Sequence, residues 1–384
     1  MAAVETMTVT SPPMGPVAGQ DALQETPAQA PDAAPERVTF DPSKHLVYTP
    51  PQKVWTMKEL GFDENRGISP VGVSEPFPLF SEEAVKQMRE EVLSENVWKH
   101  YRYSSNLSPC QLRGYAAEYA PFVYDAWKSP EVLAIVSKIA GVDLVPAMDW
   151  EIGHVNISMY TEEEKRKARE AIAEKKNREA DEGVSGCPWE EPDLGPIVDW
   201  HTDSYPFVCV TMLSDCREMI GGETAIRKGN GEVMKVRGPQ MGSAVILQGR
   251  YIEHQALRAL GTTERISMVT SFRPRSSALR DDTVLRTVRP ISDLSELYLQ
   301  YSEYRLEILQ DRLQAMARAM RDRKRARRPF DTKRMKAFIR EQIEFLEQMD
   351  REIVNDEEVQ KGFIDDGHLF SEELKQRSKK AIAA

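Results

Sequence analysis

Histidine, cysteine, long apolar runs and surplus positive charge are all in short supply in this chain of 384 residues. Four cysteines (110, 187, 209 and 216) lack metal-type spacing. That argues against a disulfide framework and for reduced thiols in a cytoplasmic protein. No apolar run approaches the roughly 18 residues of a membrane span, so no transmembrane helix is expected. The opening MAAVETMTVTSPPMG has neither a basic nor an apolar region, so no secretory signal is expected. Fifty-one Lys and Arg against 61 Asp and Glu give a net charge of −10. Phosphate backbones reward the opposite sign, so neither nucleic acid nor a membrane surface is the expected partner. Only six histidines are present, at 45, 100, 154, 201, 254 and 368. Any grouping among so few carries information.

What is present divides the chain. Residues 1–36 hold six Pro, eight Ala and five acidic residues, with no basic or aromatic residue. Such a segment cannot offset its ordering entropy and reads as a disordered tail. Residues 37–141 read as extended chain and helices packed on a core. Ser81-Glu82-Glu83 signals a helix start, and Ser129, Pro130 and Gly141 bracket a second helix. Residues 142–280 carry short strand patterns at 154–160, 207–213, 242–248 and 265–272, interrupted by a charged helical insertion at about 161–182. Residues 281–384 read as helical, with long amphipathic stretches at 295–326 and 331–354. The fold class expected is α+β, a jelly-roll core flanked by N-terminal and C-terminal helices.

The chemistry lies in the strand-rich part. His201-Thr202-Asp203 precedes one strand, and His254 follows another fifty residues on. Residues i and i+2 of extended chain share a face, so His201 and Asp203 are presented together. Two His and one carboxylate on one face are the ligands of a non-haem Fe(II) oxygenase. Eleven residues past His254 comes Arg265-Ile266-Ser267. A guanidinium fork beside a hydroxyl suits a carboxylate.

Taken together, this string resembles the Fe(II)/2-oxoglutarate-dependent dioxygenases over roughly residues 145–275. The resemblance implies a double-stranded β-helix, with His201, Asp203 and His254 holding Fe(II), and Arg265 with Ser267 holding the far carboxylate of 2-oxoglutarate. Many relatives carry Asn-x-Tyr on the preceding strand. Here it reads Asn156-Ile157-Ser158-Met159-Tyr160, so Ser158 or Tyr160 is the further cosubstrate contact. Halogenating relatives replace the Asp by Ala or Gly, and Asp203 speaks against that chemistry. The implied reaction consumes O2, converts 2-oxoglutarate to succinate and oxidises a substrate C–H bond, giving hydroxylation, desaturation or ring closure.

The flanking helices resemble fungal oxygenases of secondary metabolite biosynthesis, in particular those that convert L-valine to an aziridine carboxylic acid. A small molecule is the expected substrate. Arg113 and Arg275 (and Arg273) are candidate partners for its carboxylate, and Ile343 and Phe345 are candidate contacts from helices folded over the barrel mouth. Cys209 and Thr211 share a face with Asp203 if the strand is unbroken, and either line the cosubstrate pocket or pack in the core. The seven basic residues between Arg318 and Arg328 read as a cationic helix end. Hydroxylation or desaturation of a larger polyketide, terpenoid or peptide metabolite is the alternative within the enzyme class. A non-catalytic interaction module is the alternative outside it. The pattern leaves the oligomeric state open.

Overall fold

Among the described residues the strands form a ten-stranded and a four-stranded antiparallel sheet and a small two-stranded one, and the chain crosses repeatedly between the two larger sheets. The structure is a computed structural model describing residues 37–159, 163, 166, 170, 196–217, 219–236, 240–257, 259–260 and 264–364. The tail at 1–36 and nearly all of the charged insertion lie outside the described residues. The described residues from Val38 onward belong to one compact unit. Nine strands frame the site: β1 (Val71–Ser74), β2 (His154–Met159), β3 (Pro196–His201), β4 (Phe207–Met212), β5 (Thr224–Arg227), β6 (Val233–Val236), β7 (Ser243–Leu247), β8 (His254–Leu257) and β9 (Glu264–Pro274). The centre of the ten-stranded sheet runs β1-β7-β4-β9-β2, and the four-stranded sheet runs β6-β5-β8-β3. From β2 to β9 the chain alternates between sheets, except that β5 and β6 form a hairpin within the small one.

Alternation of side chains explains the layering. On β9, Ile266, Met268 and Phe272 join a core with the helices Glu82–Val92, Pro121–Lys128 and Pro130–Ala140 on the outer face. Arg265, Ser267, Val269 and Ser271 turn the other way, into a cavity also lined by the small sheet. Near that cavity Val73, Val208 and Leu247 of the large sheet meet Ile226 and Val236 of the small one.

The helix signals act as read. Ser81 accepts from the Ala84 amide at 3.2 Å, and Ser129 from Val132 at 3.1 Å. Gly141 ends the second helix at φ +68°, a conformation costly for residues with a Cβ. Val85, Met88 and Val92 face inward, each stabilising by about 1.5–3 kcal/mol. The C-terminal stretches are helices at Leu294–Arg325 and Thr332–Glu352. The basic run lies at the exposed end of the first. No helix among the described residues is long and apolar enough to cross a membrane.

Candidate metal centre

His201 ends β3 and His254 begins β8, and the two stand opposite each other in the ladder. Their ring centroids are 4.4 Å apart. Asp203 follows β3 in a loop. Its Oδ1 lies 3.7 Å from His201 Nε2, and its Oδ2 lies 3.5 Å from His254 Nε2. One ligand atom from each of the three lies within 4.8 Å of the others, a span one cation can bridge.

The surroundings fit a cation. Asp203 Oδ2 is buried and accepts no hydrogen bond, a costly state for a carboxylate oxygen without a positive partner. His254 Nδ1 lies 3.0 Å from the Ile252 carbonyl oxygen, which selects the tautomer with the proton on Nδ1 and leaves Nε2 as a donor to metal. Burial works against the Asp203 charge, but His254 and His201 outweigh it and hold the carboxyl well below its usual range. Burial likewise opposes protonation of His254, and Asp203 reverses the balance and raises it.

Arg265 is buried on β9, and Nη1 donates to Ser267 Oγ at 3.2 Å. Ser158 on β2 pairs directly with Arg265, and Asn156 with Ser267. All four line the same cavity as His201, Asp203 and His254. Tyr160 lies outside the described residues. The cavity measures about 160 Å3, well below the roughly 300–1,000 Å3 of sites for drug-sized ligands.

Arg113 is brought to this cavity too, 1% exposed, where it forms an ion pair with Glu151. Tyr205 donates to the same Glu151 oxygen at 2.8 Å. Burial pushes the Glu151 carboxyl up, against the pull of Arg113 and Tyr205. Arg113 Nε is buried without a hydrogen-bond partner. His154 lines the cavity beside them, 3.1 Å from Gln111 Oε1. Burial, reinforced by the Arg113 charge, pushes His154 well below its ordinary value, so it is neutral.

Other candidates stand elsewhere. Ile343 is half exposed, and Phe345 packs with Arg305 3.5 Å from its ring centroid. Neither lines the cavity, because the helix Thr332–Glu352 docks on the preceding helix through Phe345 and Met349. The segment beyond it reaches the cavity instead, through Ile364, whose backbone is held at both ends by the Asn106 amide. Arg275 pairs at the surface with Asp143, 3.1 Å away, and Arg273 lies over the Tyr304 ring. Cys209 and Thr211 are buried, Cys209 within the helix-facing core, and burial pushes its thiol up to about 12. The loop between Asp203 and β4 breaks the assumed alternation, so Val208 and Val210 face the cavity.

Glu151 and Gly249 are absent from the sequence reading, whereas Tyr205 shares the expected face of Asp203 and does line the cavity. Glu151 carries no motif spacing. Gly249 sits against Asp203, and the Gly-Arg of Gln248-Gly249-Arg250 was the available signal. Gln248 is fully buried and binds the carbonyls of Ser69 and Val71 at 3.1 and 2.6 Å, which anchors the turn.

No protein-family model matches this chain, and no curated protein matches it. Solved structures with some likeness include an oxidoreductase of the 2OG-Fe(II) oxygenase family from Burkholderia pseudomallei. It is 10% identical, with 46% of this chain and 76% of that one covered and a TM-score of 0.31. A prolyl 4-hydroxylase from Phytophthora capsici is 14% identical over 66% of this chain and 83% of its own, with a TM-score of 0.34. HygX from Streptomyces hygroscopicus, with nickel, 2-oxoglutarate and hygromycin B bound, is 11% identical over 53% and 83%, with a TM-score of 0.29. Scores this low carry no weight in assigning fold or chemistry, which rest on the geometry above.

Proposed function

We propose that this protein is an Fe(II)/2-oxoglutarate-dependent oxygenase of a small molecule, built on a double-stranded β-helix. The observation that carries the reading is the convergence of His201, Asp203 and His254 beside a buried Arg265. The alternation of β2 to β9 between two facing sheets supports the fold. His201, Asp203 and His254 would hold the iron, and Arg265, Ser267 and Ser158 the distal carboxylate of 2-oxoglutarate. Iron with 2-oxoglutarate and O2 supplies the oxidation of a C–H bond. The protein's own share is to fix the ligands, orient both organic molecules and exclude water.

The cavity holds two buried guanidiniums, Arg265 and Arg113. The charge of Arg113 is already met by Glu151, so their surroundings favour a group of no net charge. A zwitterion answers this, its carboxylate toward Arg113 and its ammonium toward Glu151. An α-amino acid is therefore the substrate class we favour, with ring closure of L-valine to an aziridine as the specific case. The small cavity speaks against a polyketide or terpenoid scaffold, and the complete ligand set against a purely structural module. Anaerobic equilibrium dialysis tests the reading: one Fe(II) per chain is expected, with affinity lost in His254→Ala. Equal binding by that variant rejects it.

A further inference from the structure

The helix Leu294–Arg325 is about 48 Å long at 1.5 Å per residue; its buried residues lie in its first half, and Arg312 ties its middle to the Ser277 and Leu279 carbonyls. Its buried residues end at Ile308, and no residue from 309 to 341 is buried. Leu299, Leu306, Leu313 and Met320 are 40–61% exposed. They recur every seven residues. A helix drifts only about 20° per heptad, so the four form one continuous apolar stripe. One apolar position per heptad keeps the same face of the helix toward a partner laid alongside it.

The two ends of the stripe complement each other. Glu296, Glu303 and Glu307 are exposed around Leu299 and Leu306. Arg318, Arg321 and Lys324 are exposed around Met320. Met316, Met320, Phe330 and Met335 line an open groove of about 650 Å3, with Arg323 and Lys324 at its rim. An apolar knob among acids thus stands at one end and an apolar groove among bases at the other. A two-fold axis between Leu306 and Leu313 superposes them, which is the self-complementarity of an isologous interface.

We propose that the protein is a homodimer joined by antiparallel pairing of this helix with that of a second copy. Leu306 meets the partner's Leu313, and the partner's Leu299 enters the Met316–Met320 groove. Paired acidic and basic halves set the antiparallel direction, because a parallel pair would bring like charges together.

Sedimentation equilibrium of the full chain is expected to give a dimer. Leu306→Glu with Leu313→Glu should weaken it by roughly 100-fold or more, with unchanged iron binding. Charge exchange keeps the test independent of folding at the apolar positions. Glu296→Arg/Glu303→Arg and Arg321→Glu/Lys324→Glu should each dimerise poorly alone and form a heterodimer when mixed. A wild-type monomer at all concentrations overturns the proposal. So does a dimer indifferent to these changes, or a monomer that dimerises only once residues 365–384 are deleted, which would assign the stripe to the chain's own end.

Discussion

Gly249 leaves no space for a side chain beside Asp203: a Cβ there would lie 1.8 Å from Asp203 Oδ2. The Asp203 amide also donates to the Gly249 carbonyl at 3.0 Å. The turn after β7 therefore sets both the backbone and the carboxylate of the candidate ligand. Gly249→Ala should displace the carboxylate and lower Fe(II) affinity by about 10–100-fold, the range for lost support around a metal. Fe(II) titration monitors the loss, and an unchanged circular dichroism spectrum shows that the fold survives. Full affinity would mean that Asp203 is not a ligand.

Arg265 should govern the cosubstrate and little else. Arg265→Gln removes the charge that would meet the distal carboxylate. Losing one partner of a buried charge pair costs about 2–5 kcal/mol. The KM for 2-oxoglutarate should rise at least 30-fold while Fe(II) affinity stays within a few-fold. Steady-state kinetics at saturating iron separate the two, and an unchanged KM contradicts the assignment.

Arg113 and Glu151 should divide from Arg265 in their effects. Arg113→Met leaves Glu151 buried without its cation, a loss of about 3–5 kcal/mol in stability. Arg113→Met with Glu151→Leu should recover most of that and remain unable to use the organic substrate. Denaturant melts measure the first effect. Product formation at saturating 2-oxoglutarate measures the second. A double variant with wild-type turnover would reduce the pair to a structural role.

His154 adds a pH dependence with a definite sign. Its ordinary value is about 6.5, and burial beside Arg113 lowers it in the folded protein. Below about 6.5 the unfolded chain therefore binds more protons than the folded one, and stability falls as pH falls. His154→Gln should flatten the melting temperature between about pH 5 and 6.5. A mutant profile as steep as the wild type assigns the acid loss to other groups.

Helix-end signals and one long-range spacing were legible, and contacts assembled from several separated segments were not. Ser81, Ser129 and Gly141 mark helix ends through their own backbone chemistry, so they were legible in the sequence. The iron-ligand spacing was legible because His201 and Asp203 lie two residues apart and His254 pairs across the ladder with His201. β3 escaped notice because its Pro196–His201 stretch shows no clean apolar alternation. Arg113 was a candidate by residue type, but its pairing with Glu151 and Tyr205 was not legible, because the three come from separated segments and meet only in the fold. Phe345 was read as a substrate contact because apolar spacing shows that a face is buried, and not what covers it. Arg305 and Met349 cover it here.

If His201, Asp203 and His254 hold an iron that turns over 2-oxoglutarate, succinate release depends on that iron and on each ligand. Succinate release tests this most directly, measured with Fe(II), O2 and 2-oxoglutarate for the wild type and for His201→Ala. Iron-dependent succinate from the wild type, falling to background in His201→Ala, is the predicted result. No succinate from the iron-loaded wild type, or an undiminished rate from His201→Ala, would contradict it.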